Sequence, residues 1–257
     1  MLKVRIIPTL LWKSFGLVKG ESFDSWRQVG SVMPSIKVYN SREVDELILL
    51  DILTTEEDRE PDYDSISDFS DECFVPLTYG GGVKSIEIIR KLLLSGADKV
   101  AINSYSYQMP ELIREASERY GSQCIVASID VKKNDQGDYE CYSHSGQKPT
   151  GQDPVVWASK IEKLGAGEIL LTSIDRDGTM LGYDIELVEQ VSSAVRIPVI
   201  ASGGAGEYEH MLDAIRTGGA SAVAAASIFH FTEQTPAEAR DFLAENSIPV
   251  RKTYISE

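Results

Sequence analysis

Residues Thr78–Ser104, TYGGGVKSIEIIRKLLLSGADKVAINS, are echoed by Ile200–Ser227, IASGGAGEYEHMLDAIRTGGASAVAAAS. Gly80 stands opposite Gly203 and Ser104 opposite Ser227, each pair 123 residues apart. A second echo, ELILLD from Glu46 and EILLTS from Glu168, has an offset of 122. The longer pair shares one layout: a short apolar run, a glycine-rich turn, a helical pattern and a second apolar run. Two similar halves are the economical reading.

Short apolar runs recur along the chain, at Val4–Thr9, Leu47–Asp51, Phe74–Thr78, Lys99–Asn103, Cys124–Asp130, Ile169–Thr172, Val199–Ala201 and Ala222–Ala225. Apolar strands alternating with helical patterns predict a parallel sheet covered by helices. Eight such units in 257 residues predict one (β/α)8 TIM barrel over residues 1–257, built from two similar half-barrels. An open doubly wound sheet is the competing architecture, but no GxGxxG turn follows the first strand.

Composition narrows the classes of function. A hydrophobic content of 42% suits a sizeable core. There is no apolar run of membrane-spanning length and no signal-peptide layout, so a soluble, cytoplasmic protein is expected. The opening MLKVRIIPTLLW reads as the first buried strand. A net charge of −15 argues against nucleic acid or an anionic membrane as partner. Much of the acidic excess falls in Thr54–Glu72, which reads as a solvated loop and helix. Cys73, Cys124 and Cys141 lack zinc-ligand spacing and read as reduced thiols, and neither a metal nor a cofactor is expected.

Glycine-rich turns after the third and seventh strands (Gly80–Val83 and Ser202–Gly206) fall at the face of a barrel where active sites form. Glycine lets the backbone approach phosphate oxygens, and helix N-termini add amide donors. With Asn103, Ser104, Ala226 and Ser227 ending the next strands, two such sites suit a ligand phosphorylated at both ends. Tight turns without a ligand are the simpler alternative. Asp130 ends the fifth strand where a carboxylate can serve as general acid or base, or can merely cap a helix. The half-barrel echo sets Leu11 opposite it, where a second acid is expected. Thr172, Asp177 and Gly178 are candidate ligand contacts in the sixth strand and its loop. Lys19 reaches a ligand's anionic end or is a solvated lysine.

At the opposite mouth, side-chain alternation predicts inward series of Arg5, Ile7, Thr9 and Leu11; Glu46, Ile48 and Leu50; Lys99, Ala101 and Asn103; and Glu168, Leu170 and Thr172. Two cations and two anions then ring the interior. Buried charges must pair, so the ring is either a stabilising plug or a gate for a small polar molecule. The small residues Thr78, Ala101, Ser128, Ala222 and Ala224 above it are candidates to leave room along the axis.

The stretches GAGEILLTSIDRDGT (Gly165–Thr179), IASGGAG (Ile200–Gly206), EHMLDAI (Glu209–Ile215), PLTYGGGV (Pro76–Val83) and GADKVAINS (Gly96–Ser104) resemble the cyclase subunit of imidazole glycerol phosphate synthase. The resemblance covers nearly the whole chain. It implies a heterodimer with a glutaminase subunit, whose ammonia enters at the N-terminal face and crosses the barrel to a bisphosphate ligand. It makes Arg5, Glu46, Lys99 and Glu168 the ammonia gate and Asp98 an interface residue. It makes Gly82, Asn103 and Ser104 one phosphate side, with Asp177, Gly178, Gly204, Ala226 and Ser227 on the other; Gly81 and Gly203, in the same glycine turns, are further candidate ligand contacts.

One departure falls on the chemistry. The family pattern IPCLDVKDGRVVKG reads here IPTLLWKSFGLVKG (Ile7–Gly20), so Thr9 replaces cysteine and Leu11 replaces the first catalytic aspartate. Leucine cannot transfer a proton. The first loop also differs, with GSVMPSIKVYN (Gly30–Asn40) in place of the family's GDPVE. This pattern resembles a paralogous branch that supplies ammonia to a sugar amidotransferase in surface-polysaccharide synthesis. The alternatives are an authentic cyclase of histidine biosynthesis and a non-catalytic phosphometabolite-binding activator of a partner.

Overall fold

Valine, isoleucine and leucine on consecutive buried positions drive the strand formation, because both faces of each strand are covered. The computed structural model describes residues 3–14 and 16–251. Its strands are β1 (Arg5–Lys13), β2 (Gly16–Glu21), β3 (Asp24–Gly30), β4 (Leu47–Asp51), β5 (Leu77–Gly80), β6 (Lys99–Ile102), β7 (Ile125–Lys133), β8 (Tyr139–Ser143), β9 (Lys148–Pro149), β10 (Glu168–Ser173), β11 (Val199–Ser202) and β12 (Ala222–Ala225). The order β10-β11-β12-β1-β4-β5-β6-β7 is parallel throughout, and β7 pairs back to β10 to close an eight-stranded barrel. Helices lie between the barrel strands in chain order, as in a (β/α)8 TIM barrel.

Each barrel strand was foreseeable, but not each boundary. The third runs Leu77–Gly80 rather than Phe74–Thr78. Pro76 has no N–H to give a ladder, while the Phe74 N–H bonds the Asn40 side chain and its ring is 81% exposed. The first strand runs four residues beyond Thr9 because β2 pairs with its end, Leu11 opposite Val18.

Two cores result. The larger lies between the strands and the helices, and the smaller fills the barrel axis with Ile7, Ile48, Val126, Leu170 and Ile200 beside Ala101, Ala222 and Ala224. The axis above the charged ring is therefore lined largely by apolar side chains, with Thr9, Thr78 and Ser128 buried among them. The stretch Thr54–Glu72 folds as a turn and a helix capped by Asp62. It is tied down more firmly than a solvated loop: Arg59 grips buried Asp51 through both carboxylate oxygens at 2.9 and 2.7 Å. No helix among the described residues is long and apolar enough to cross a membrane.

Candidate functional site

Strand parity brings four charges together at the N-terminal mouth. Arg5 reaches Glu46 at 2.6 Å and Glu168 at 2.7 Å, and Lys99 reaches the same two at 3.1 and 2.9 Å. The ring alternates in sign, so each charge faces two opposites. Burial works against the Arg5 charge, but the carboxylates of Glu46 and Glu168 outweigh it and hold the guanidinium above its ordinary range. Exposed Asp98 sits one residue from Lys99, and its Oδ2 accepts the Leu77 N–H at 2.8 Å. That bond begins β5 where Pro76 cannot.

At the opposite face the strand ends and βα turns enclose one cavity. It is lined by Leu11, Lys19, Asn103, Ser104, Asp130, Thr172, Asp177, Gly178, Ala226 and Ser227, together with Gly81, Gly82, Gly203 and Gly204. The two glycine turns are required by their backbones. Gly81 and Gly204 have φ of 125° and 108°, and a Cβ would stand 2.4 Å from the Asp51 carbonyl and 2.1 Å from the Gly182 carbonyl. Any side chain there would push the turns apart.

Asn103 donates to Asp130 Oδ2 at 3.0 Å and to the Ser128 carbonyl at 3.1 Å, orienting the acid into the cavity. Burial, helped by the charge of Asp177, raises the Asp130 carboxyl to about 7, although Thr172 opposes the shift. Asp177 is itself raised by burial and drawn back by Lys19. Lys19 is 4% exposed, and burial lowers its ammonium to about 8 despite Asp177. The reading of Lys19 as a solvated lysine is thus corrected, since β2 folds back and carries it inside. It is the one cation lining the cavity among the described residues, which it shares with Asp51, Asp130 and Asp177, and Asp177 is the acid whose charge acts on it. The Ser104 hydroxyl is already engaged, accepting the His144 N–H at 2.9 Å and bonding Asn103 Oδ1 at 3.2 Å.

The raised Asp130 has a measurable consequence. Its folded pKa lies above its unfolded value, so the folded state holds the extra proton and stability falls as pH rises from about 4 to about 7. Asp130→Asn removes this cost. Thermal melts should show the variant gaining on the parent between pH 5 and pH 8, and parallel curves would contradict the assignment.

Sequence reasoning missed part of the site. The hairpin β2–β3 lies at the cavity mouth, with Phe23 and Trp26 in its lining. Arg27 stacks 3.8 Å from the Phe231 ring, and Gly178 meets the hairpin backbone at Gly20. β3 is mostly exposed and has no run of buried apolar residues, so it carries no strand signal. Ser145, in the turn between β8 and β9, also lines the cavity and bonds the Ile52 carbonyl at 3.1 Å. The Asp51–Arg59 pair had no pattern to reveal it.

A closed barrel with a carboxylate-bearing cavity at the C-terminal ends of its strands defines the class: a (β/α)8 protein with its site where such barrels hold their ligands. The family model described as histidine biosynthesis protein matches residues 5–235. The chain belongs to that family.

Proposed function

We propose that this chain is a cyclase-like subunit of a glutamine amidotransferase. In this reading it forms a heterodimer with a glutaminase subunit and conducts ammonia through the barrel, for amidation of an N-acetyl sugar in surface-polysaccharide synthesis. A sugar amidotransferase is the further partner. The observation that carries the reading is the alternating ring of Arg5, Glu46, Lys99 and Glu168 beneath a cavity where Leu11 stands in place of an acid. Machinery for admitting a small polar molecule is kept, while half of the expected proton-transfer pair is gone.

Asp98 and the ring form the face that meets the glutaminase, and a phosphorylated ligand held by the glycine turns acts as signal or substrate. Co-expression with candidate glutaminases tests the pairing. A stable one-to-one complex with glutaminase activity above that of the partner alone is expected. A chain that elutes alone and leaves glutamine hydrolysis unchanged counts against the proposal.

An authentic histidine-pathway cyclase is the second reading, favoured by one observation: Asp130 remains poised near neutrality in the cavity. That reading requires another group to supply the proton transfer lost at Leu11.

A further inference from the structure

Thr9 lies on the inward face of β1, two residues above Ile7 of the axial core and two below Leu11. At about 3.3 Å per residue, its hydroxyl stands about 13 Å up the strand from the Arg5 ring and at the floor of the cavity. It lines that cavity and is 6% exposed. Its Oγ1 has no hydrogen-bond partner among the described residues.

The neighbouring strands explain why. Thr9 lies beside Ile48 of β4, and Ile7 on the same face lies beside Ala224 of β12. The adjoining inward positions Ile48, Leu50 and Ala224 are apolar, and no polar side chain among the described residues bonds Oγ1. A buried hydroxyl left unpaired costs on the order of 1–3 kcal/mol, and valine has the same shape without that cost. A partner from the axis itself removes the penalty. Between the packed axial core and the cavity, a partner for Oγ1 must be small and able to hydrogen-bond.

We infer that Thr9 is a binding station for one small neutral hydrogen-bonding molecule at the junction of conduit and cavity, and that ammonia occupies it in transit. The ammonia role rests on the amidotransferase reading above. The hydroxyl donates to the nitrogen lone pair, and an ammonia N–H can donate back to Oγ1. Leu11, directly above, offers no competing acid to protonate ammonia to ammonium, and the apolar collar favours the neutral form. Thr9 acts as a positioning residue and takes no part in bond making.

The test has two arms. A high-resolution crystal structure of the isolated chain should show an ordered solvent atom within hydrogen-bonding distance of Thr9 Oγ1, kept in Thr9→Ser and absent in Thr9→Val. A bare hydroxyl, with Thr9→Val melting higher than the parent, overturns the station whatever the function. In the assembled amidotransferase, ¹⁵N-glutamine is supplied against excess unlabelled ammonium salt. Thr9→Val should lower the labelled fraction of product by about two- to tenfold, one hydrogen bond's net worth, and Thr9→Ser should restore it. Ordered solvent with an unchanged labelled fraction assigns the station to water and overturns the ammonia role. No labelled product from the parent assembly overturns the amidotransferase reading, and the ammonia role with it.

Discussion

Lys99→Met should lower the melting temperature by about 4–8 °C, the effect of about 2 kcal/mol in a domain of this size. Lys99 touches both Glu46 and Glu168, and its loss leaves those two carboxylates sharing Arg5 alone. Removing one partner from a fully buried pair costs about 3–5 kcal/mol. These side chains are 9–21% exposed at the barrel mouth, so water screens part of that cost. Glu46→Gln added to Lys99→Met should restore part of the stability, because it removes the stranded charge. Thermal denaturation of the two single variants and the double variant measures the coupling. Additive losses would mean that the ring is four independent surface charges.

Leu11→Asp should confer ammonium-dependent turnover of the histidine-pathway bisphosphate, raised about 10²–10⁴-fold over the unmodified chain, the usual contribution of general acid–base catalysis. Leu11 lines the same cavity as Asp130 and is 8% exposed. An acid there shares the cavity with the raised Asp130 carboxyl, and its burial beside Leu50 should destabilise the apo protein by about 1–3 kcal/mol. The unmodified chain should be nearly inert, since leucine neither donates nor accepts a proton. Turnover by the unmodified chain at the level of an authentic cyclase would restore the histidine-pathway reading. Inertness of both proteins would mean that the changed first loop no longer holds that substrate.

The barrel was legible because parallel strands covered on both faces must be apolar runs, and because the half-barrel echo repeats at 122–123 residues. Strand parity similarly gave the charged ring, as alternation fixes which side chains meet on the axis. The rest depended on contacts that no periodicity encodes. Pro76 moved the third strand by denying it a donor. The β2–β3 hairpin buries few apolar residues of its own on β3, so its fold over the mouth left no pattern, and with it went the burial of Lys19. Arg59 reaches Asp51 across a turn, and such a pair follows from neither helix nor strand spacing. The orphaned Thr9 hydroxyl emerges only when every neighbour on the inner face is known.

The most direct measurement is the source of nitrogen in the amidated sugar, with ¹⁵N-glutamine and excess unlabelled ammonium supplied together to the assembly of barrel, glutaminase and sugar amidotransferase. A closed conduit predicts product carrying the glutamine label despite the competing ammonium, and loss of that preference in Lys99→Met. Product labelled in proportion to bulk ammonium, with no difference between the two proteins, would contradict passage through the barrel.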